Sequence, residues 1–339
     1  MNKTAKIIVT CIALVVLAAA VTIPLVLYSL GYIDYADPSP SDKGGYLLVY
    51  FGGNEPENET IRFAVSKDGY NFLPINANEP VIEHNLGTGC ARDPHITRGQ
   101  DGKFYLVATD MRSELGWTSN HAIVTWSSTD LIHWENETII DLKDYIPGTN
   151  RAWAPQAKWD PEKQMYMVYY SSSQWADEEA GTSTETCLWY AYTKDFTKFE
   201  TQPEILFRTE SGADCIDGDI ISKDGKFYLY YKDQGIDNIC YAVSDTLNGG
   251  YVAPENNVVN VRYQGVEGSF VYKLIGEDNY LMIMDSYKNG CFYMQQSSDL
   301  VNFKRVKSTD YSFDFSPRHG AVLQLWDSEY QELVKAFGF

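Results

Sequence analysis

Polar residues with chemical potential interrupt four short, otherwise apolar runs. They are Asp93 in ARDPHI, Asp217 and Asp219 in IDGDIIS, Glu267 in EGSFVYK, and Arg318 and His319 in RHGAVLQL. A carboxylate in such surroundings is costly unless it is paired or used. Carboxylates converging from separate segments are what glycoside hydrolysis requires: one protonates the leaving oxygen while another activates water or attacks carbon. A single Asp could simply cap a turn by accepting nearby N–H groups. Several acids at corresponding places in successive segments favour chemistry over capping.

The segments that must position these residues repeat. A turn followed by a Tyr-Leu-type run occurs five times, at GGYLLVYFGG, DGKFYLVATD, EKQMYMVYYS, DGKFYLYYKD and EDNYLMIMDS. A second pattern, a strand ending in an Asp turn and then an aromatic residue, also occurs five times, with turn aspartates Asp68, Asp130, Asp195, Asp245 and Asp299. Aromatic and β-branched runs bounded by such turns read as strands, and after residue 45 no stretch shows convincing helical periodicity. Five copies of a several-strand unit predict an all-β chain folded as a five-bladed β-propeller; a β-sandwich gives no reason for two interleaved patterns to recur. The polar runs, with WAPQAKW as a further copy, precede four of the Tyr-Leu strands and are expected to be the innermost strands. The remaining copy, RHGAVLQL, lies at the far end of the chain. It is expected to complete the blade begun by YLLVYFG, closing residues 46–339 into one domain.

From Tyr46 onward the chain resembles glycoside hydrolase family 43. The resemblance is carried by ARDPHI with DGKFYLVATD, SSTDLIHWE, WAPQAKW, IDGDII with DGKFYLYYKD, EGSFVYK and PRHG, in that order. It implies an inverting five-bladed hydrolase acting on arabinose- or xylose-containing oligosaccharides and polysaccharides. Position by position, Asp93 matches the base, Glu267 the acid and Asp217 the carboxylate that tunes the acid. Trp153 is either a sugar-facing wall or a core residue. Arg318 and His319 match the last-blade motif, where His319 either faces substrate or holds a central cation through water. No cofactor is implied as required, although the central channel has room for a structural calcium. Two departures stand out: Ser269 takes a position often held by Pro, and Asp219 adds an acid beside Asp217. His84, His95 and His133 receive no role. A retaining fructosidase-type propeller would need an Asn-Asp-Pro motif in its first blade, which is absent; a non-catalytic sugar-binding propeller is the other alternative.

Composition sets the surroundings. The chain has 339 residues and a net charge of −19, which argues against nucleic acid as a partner because phosphates call for Lys/Arg patches. Residues 1–33 carry Lys3 and Lys6 ahead of an uncharged run, Ile7–Leu30. At ~1.5 Å per residue this run is long enough to cross a bilayer and longer than an ordinary signal core. We expect an uncleaved anchor that places the globular part outside the cytoplasm; secretion after cleavage near Ala20 is the alternative. Residues 34–45 form a polar linker. The six cysteines show no metal-binding spacing, and we expect mostly free, buried thiols with room for one disulfide.

Overall fold

The computed structural model describes residues 44–261 and 265–339. The expected anchor at residues 1–33, and nearly all of the linker, lie outside the described residues. Among the described residues no helix is long and apolar enough to cross a membrane.

Five sheets succeed one another along the chain, antiparallel except where β20 joins β3 in parallel. The first contains β1 (Gly45–Phe51), β2 (Arg62–Ser66) and β3 (Asn71–Pro74). The second is β4 (Ala91–Arg98), β5 (Phe104–Asp110), β6 (Ala122–Ser128) and β7 (Trp134–Asp141), paired in that order. The third has β8 (Thr149–Asp160), β9 (Met165–Asp177), the short β10 (Thr182–Ser183), β11 (Cys187–Thr193) and β12 (Glu204–Phe207). The fourth is β13 (Cys215–Lys223), β14 (Lys226–Asp233) and β15 (Asn238–Ser244). The fifth is β16 (Glu267–Lys273), β17 (Tyr280–Ser286), β18 (Cys291–Ser297) and β19 (Lys304–Arg305). The chain then returns to the first sheet through β20 (Ser312–Phe313) and β21 (Arg318–Leu325). β21 pairs with β1 from Gly45↔Leu325 to Phe51↔Arg318, so one blade is built from both ends of the described chain. These are the five blades of a β-propeller, with β4, β8, β13, β16 and β21 as the inner strands. Closure leaves few exposed sheet edges.

The repeated turns have a physical basis. Asp68 accepts the N–H groups of Tyr70 and Asn71, Asp130 those of Ile132 and His133, and Asp299 those of Val301 and Asn302. Each carboxylate thereby satisfies two donors that the tight turn leaves unpaired. Asp195 accepts from Thr197, whereas Asp245 departs from the pattern: Ser244 Oγ accepts the Thr246 N–H, and Asp245 pairs with Lys226. Between blades, apolar faces bury one another, as where Tyr105, Tyr166 and Phe196 stack with centroids 4.5–5.8 Å apart.

One element departs from the sequence reading. A helix spans Asp327–Phe337, with Tyr330 and Leu333 buried. Glu329 accepts the Trp326 N–H at its start and meets Arg98 of β4 through both carboxylate oxygens, at 2.6 and 2.8 Å. Tyr330 covers Gly45, where an added Cβ would stand 2.6 Å from its ring. The helix is stable because it latches the closing blade to its neighbour; alone, 11 residues would be marginal. The five described cysteines are free, and four of them are buried.

Candidate active site

All five inner strands are broken at the same level. Register shifts fall between Arg92 and His95, Trp153 and Gln156, Ile216 and Asp219, and Glu267 and Phe270, and in the closing blade opposite Tyr50 and Phe51. Within four of these bulges a residue adopts positive φ: Asp93 at 49°, Ala154 at 47°, Asp217 at 57° and Gly268 at 52°. A bulge re-aims a side chain and ends regular pairing, and Asp is among the few non-glycine residues that tolerate this conformation. Asp93 and Asp217 therefore occupy the same bulge position in two blades. Glu267 stands one residue earlier, at the place of Arg92, Trp153 and Ile216, which corrects the expectation that the three acids are equivalent. Gly268 takes the position that the aspartates hold elsewhere. It has to be glycine on two counts: its φ is positive, and a Cβ would lie 2.6 Å from His319 Cγ.

His319 ties the two aspartates together. Its Nδ1 stands 3.5 Å from Asp93 Oδ1 and 3.9 Å from Asp217 Oδ1. Thr109 donates to the other Asp93 oxygen at 3.0 Å, and Gly268 N–H donates to Asp217 Oδ2 at 2.8 Å. Around Glu267 the arrangement differs. Arg318 Nη2 lies 3.3 Å from its Oε1, while Arg318 Nε binds the fully buried Asp285 at 2.6 Å. Asp285 also accepts the His319 N–H at 3.2 Å.

These surroundings separate the acids. Burial works to raise Asp93, but the hydrogen bond from His319 and the charges of Arg92 and His319 outweigh it, so Asp93 sits below the usual carboxylate range. Burial pushes Glu267 up to about 8, helped by the negative charges of Asp217 and Asp285 and only partly opposed by Arg318. Burial raises Asp217 as well, with His319 opposing and Asp93 reinforcing. His319, which burial alone would lower, is carried up to about 9 by Asp93, Asp217 and Asp285. Near neutral pH the site therefore holds an ionised Asp93, a protonated Glu267 and a cationic His319.

Asp219 belongs to a different level. Because the bulge intervenes, its Oδ2 accepts Val271 N–H at 2.7 Å, and it lines a cavity of about 330 Å³ at the other end of the channel, with His95, Lys158 and Phe270. Burial raises Asp219 to about 6 and lowers His95 to about 3. Among the described residues no group of three or more His, Cys, Asp or Glu is arranged to hold a metal ion directly.

Trp153 sits at the bulge of β8. Its Nε1 donates to Asn120 at 2.8 Å, and Arg151 stacks on its ring at 4.6 Å. The next residue, Ala154, donates its N–H to Thr109, the residue that holds Asp93. Sequence reasoning passed over Thr109, Asp285, Asn54 and Trp117. Asn54 accepts from Arg92 at 2.9 Å and from Arg318 at 3.5 Å. Trp117 is half exposed and stands edge-on to Trp153 at 6.4 Å. Thr109 and Asp285 each stand next to last in a Tyr-Leu strand, where a polar residue after five apolar ones was the available signal. Ser269 is fully buried, and nothing in the structure explains its hydroxyl.

Comparison with known proteins adds the family context. The model of a family described as a probable glycosyl hydrolase domain, related to glycoside hydrolase family 43, matches residues 42–331. Over 212 residues the chain is 29% identical to an alpha-L-arabinofuranosidase of Bifidobacterium longum subsp. longum, an alignment covering 56% of this chain and 20% of that protein. The chain thus spans about a fifth of that relative's length. Among solved structures, an exo-1,5-alpha-L-arabinanase from a bovine ruminal metagenomic library matches with a TM-score of 0.55 at 17% identity, covering 75% of this chain and 89% of that one. An endo-1,4-beta-xylanase from Bacteroides thetaiotaomicron matches with a TM-score of 0.55 at 15% identity, covering 81% and 93%. At these identities the structural matches speak to the fold alone.

Proposed function

The chain belongs to the probable glycosyl hydrolase domain family related to glycoside hydrolase family 43, and from that premise we propose that it is an inverting pentosidase with Asp93 as base and Glu267 as acid. The reading rests above all on the unlike surroundings of these two carboxyl groups at one level of the channel. Asp93 is held ionised by His319 and Thr109, and Glu267 is held protonated by burial beside Asp217 and Asp285.

In the reaction, Asp93 takes a proton from water as the water oxygen bonds to the anomeric carbon. The bond to the leaving oxygen breaks, and that oxygen receives the proton of Glu267. Asp93 ends protonated and Glu267 ionised, and exchange with solvent restores both. Inversion follows because water enters opposite the leaving group; it requires carboxyls about 6.5–9.5 Å apart. Asp217 acts on Glu267 by charge, favouring its protonated form. In this reading Arg318 serves the sugar as hydrogen-bond donor and Trp153 as apolar wall. The name of the Bifidobacterium relative favours an alpha-L-arabinofuranoside as substrate, with xylosides second. The apolar run Ile7–Leu30 is read as an anchor holding the domain outside the cytoplasm.

A panel of nitrophenyl arabinofuranoside, xyloside and galactoside, with the first-formed anomer followed by NMR, tests this reading. Hydrolysis of the arabinofuranoside with inversion is expected. Asp93→Ala should abolish turnover even of this activated substrate, a loss of about 10²–10⁴-fold, whereas Glu267→Ala should spare it relative to unactivated oligosaccharides. Retention of configuration, or equal damage by Glu267→Ala to both substrate types, would overturn it.

A further inference from the structure

At the level of the bulges, the strand behind each inner strand supplies one facing residue: Thr109 opposite Arg92, Ser171 opposite Trp153, Lys232 opposite Ile216, Asp285 opposite Glu267, and Phe51 opposite Arg318. Three of them perform one structural task. Thr109 Oγ accepts the N–H of Ala154, Ser171 Oγ that of Asp217, and Asp285 Oδ2 that of His319. In each case the acceptor fixes the bulge of the following blade. Two blades accomplish this with a neutral hydroxyl, so the task does not require a charge.

Asp285 nevertheless carries one. It is fully buried, and its Oδ1 has no hydrogen-bond partner. A buried carboxylate with an unsatisfied oxygen is a costly way to hold one backbone N–H, and such a group calls for an explanation. The explanation lies with Arg318. Its Nε binds Asp285 at 2.6 Å, its Nη2 reaches Glu267 at 3.3 Å, its Nη1 reaches Asn54 at 3.5 Å, and its guanidinium lies over Phe51 at 5.4 Å. The contact to Asp285 is much the shorter of its two carboxylate contacts. Without Asp285, the fork would be free to close on Glu267 as a bidentate pair, the geometry that guanidinium and carboxylate favour.

We infer that Asp285 is a positioning residue that holds Arg318 away from a full ion pair with Glu267, keeping Glu267 able to donate a proton. The inference rests on the reading of Glu267 as the acid. Removing the charge of Asp285 would act twice in the same direction, taking away a repelling neighbour and releasing Arg318 toward Glu267. The other charged groups acting on this pair are Arg318 and His319 of β21, Asp217 of β13, Asp93 of β4, and Lys288 after β17.

The test compares Asp285→Asn and Asp285→Thr with the unaltered protein. The Thr variant adopts the hydroxyl solution of two other blades, so it keeps an acceptor for His319 N–H. Rates are measured across pH on nitrophenyl arabinofuranoside and on an unactivated arabino-oligosaccharide, with Glu267→Gln alongside. In both Asp285 variants the limb on which Glu267 loses its proton should move to lower pH by about one unit. At pH 7 the unactivated substrate should lose about twofold in kcat, approaching tenfold by about pH 9, and the nitrophenyl substrate should lose less at each pH. If Glu267→Gln fails to discriminate between the substrates, the acid assignment is at fault. If it does discriminate, yet a folded Asp285 variant leaves the limb in place or slows both substrates equally, Asp285 is only a structural acceptor and the inference fails.

Discussion

Gly268 donates its backbone N–H to Asp217 Oδ2 at 2.8 Å, so the residue after Glu267 is fastened to the carboxylate of the preceding blade. Asp217 thus shapes the β16 bulge and also sets a negative charge beside Glu267. Asp217→Asn separates the two effects, since the amide oxygen can still accept from Gly268 while the charge is gone. The limb on which Glu267 is deprotonated should move to lower pH by about one unit. The pH dependence of kcat/KM measures this, and an unmoved limb would mean that burial alone, the largest influence on Glu267, sustains its protonated form.

Gly268 itself should tolerate no side chain. In Gly268→Ala the methyl group would meet His319 at 2.6 Å with φ at +52°, and both the clash and the strained backbone must be relieved by moving β16 or β21. A loss of about 1–3 kcal/mol is expected in denaturant unfolding, together with reduced turnover because His319 also holds Asp93.

The inner strands were legible because acids within short apolar runs have few structural uses. The closing blade was legible because RHGAVLQL had no following partner and YLLVYFG had no preceding one. The bulges were not: a residue such as Ala154 carries no local sign that it will adopt positive φ, since that conformation is imposed by pairing across the blade. For the same reason spacing alone could not separate Asp217 from Asp219, which an unbroken strand would have aimed alike. Asp285 was hidden as the penultimate residue of an ordinary strand. The C-terminal helix could have been read from Tyr330, Leu333, Val334 and Phe337, which recur at helical spacing, but strand repeats dominated the reading.

Stability should decline as pH rises through the mildly alkaline range. Among the buried groups that bind protons more tightly in the folded chain, the largest shifts at the site are those of Glu267, raised from 4.5 to about 8, and His319, raised from 6.5 to about 9. A raised group contributes stability that is complete below its unfolded pKa and is lost as pH climbs through the folded one. The Glu267 contribution should therefore fade between about pH 4.5 and 8, and the His319 contribution between about 6.5 and 9. Unfolding measured over this range should show a falling trend, flattened below pH 8 by Glu267→Gln and most clearly above it by His319→Asn. A stability independent of pH across the window would contradict the protonation states assigned to the site.

Trp117 offers a measure of how far binding extends beyond the sugar being cleaved. Its ring is 53% exposed, stands edge-on to Trp153 and carries the Arg92 guanidinium at 5.3 Å, while Arg92 is itself anchored by Glu59 and Asn54. An exposed indole fixed against Trp153, the proposed sugar wall, can stack on a sugar face without any change in the proposed catalytic groups. Trp117→Ala should therefore raise KM for arabino-oligosaccharides about tenfold, the worth of roughly 1.4 kcal/mol of binding. Hydrolysis of a nitrophenyl monosaccharide should change little, because its single sugar does not extend to the rim. A variant that lost kcat on both substrates would place Trp117 in the support of Trp153 rather than in contact with the chain being cut.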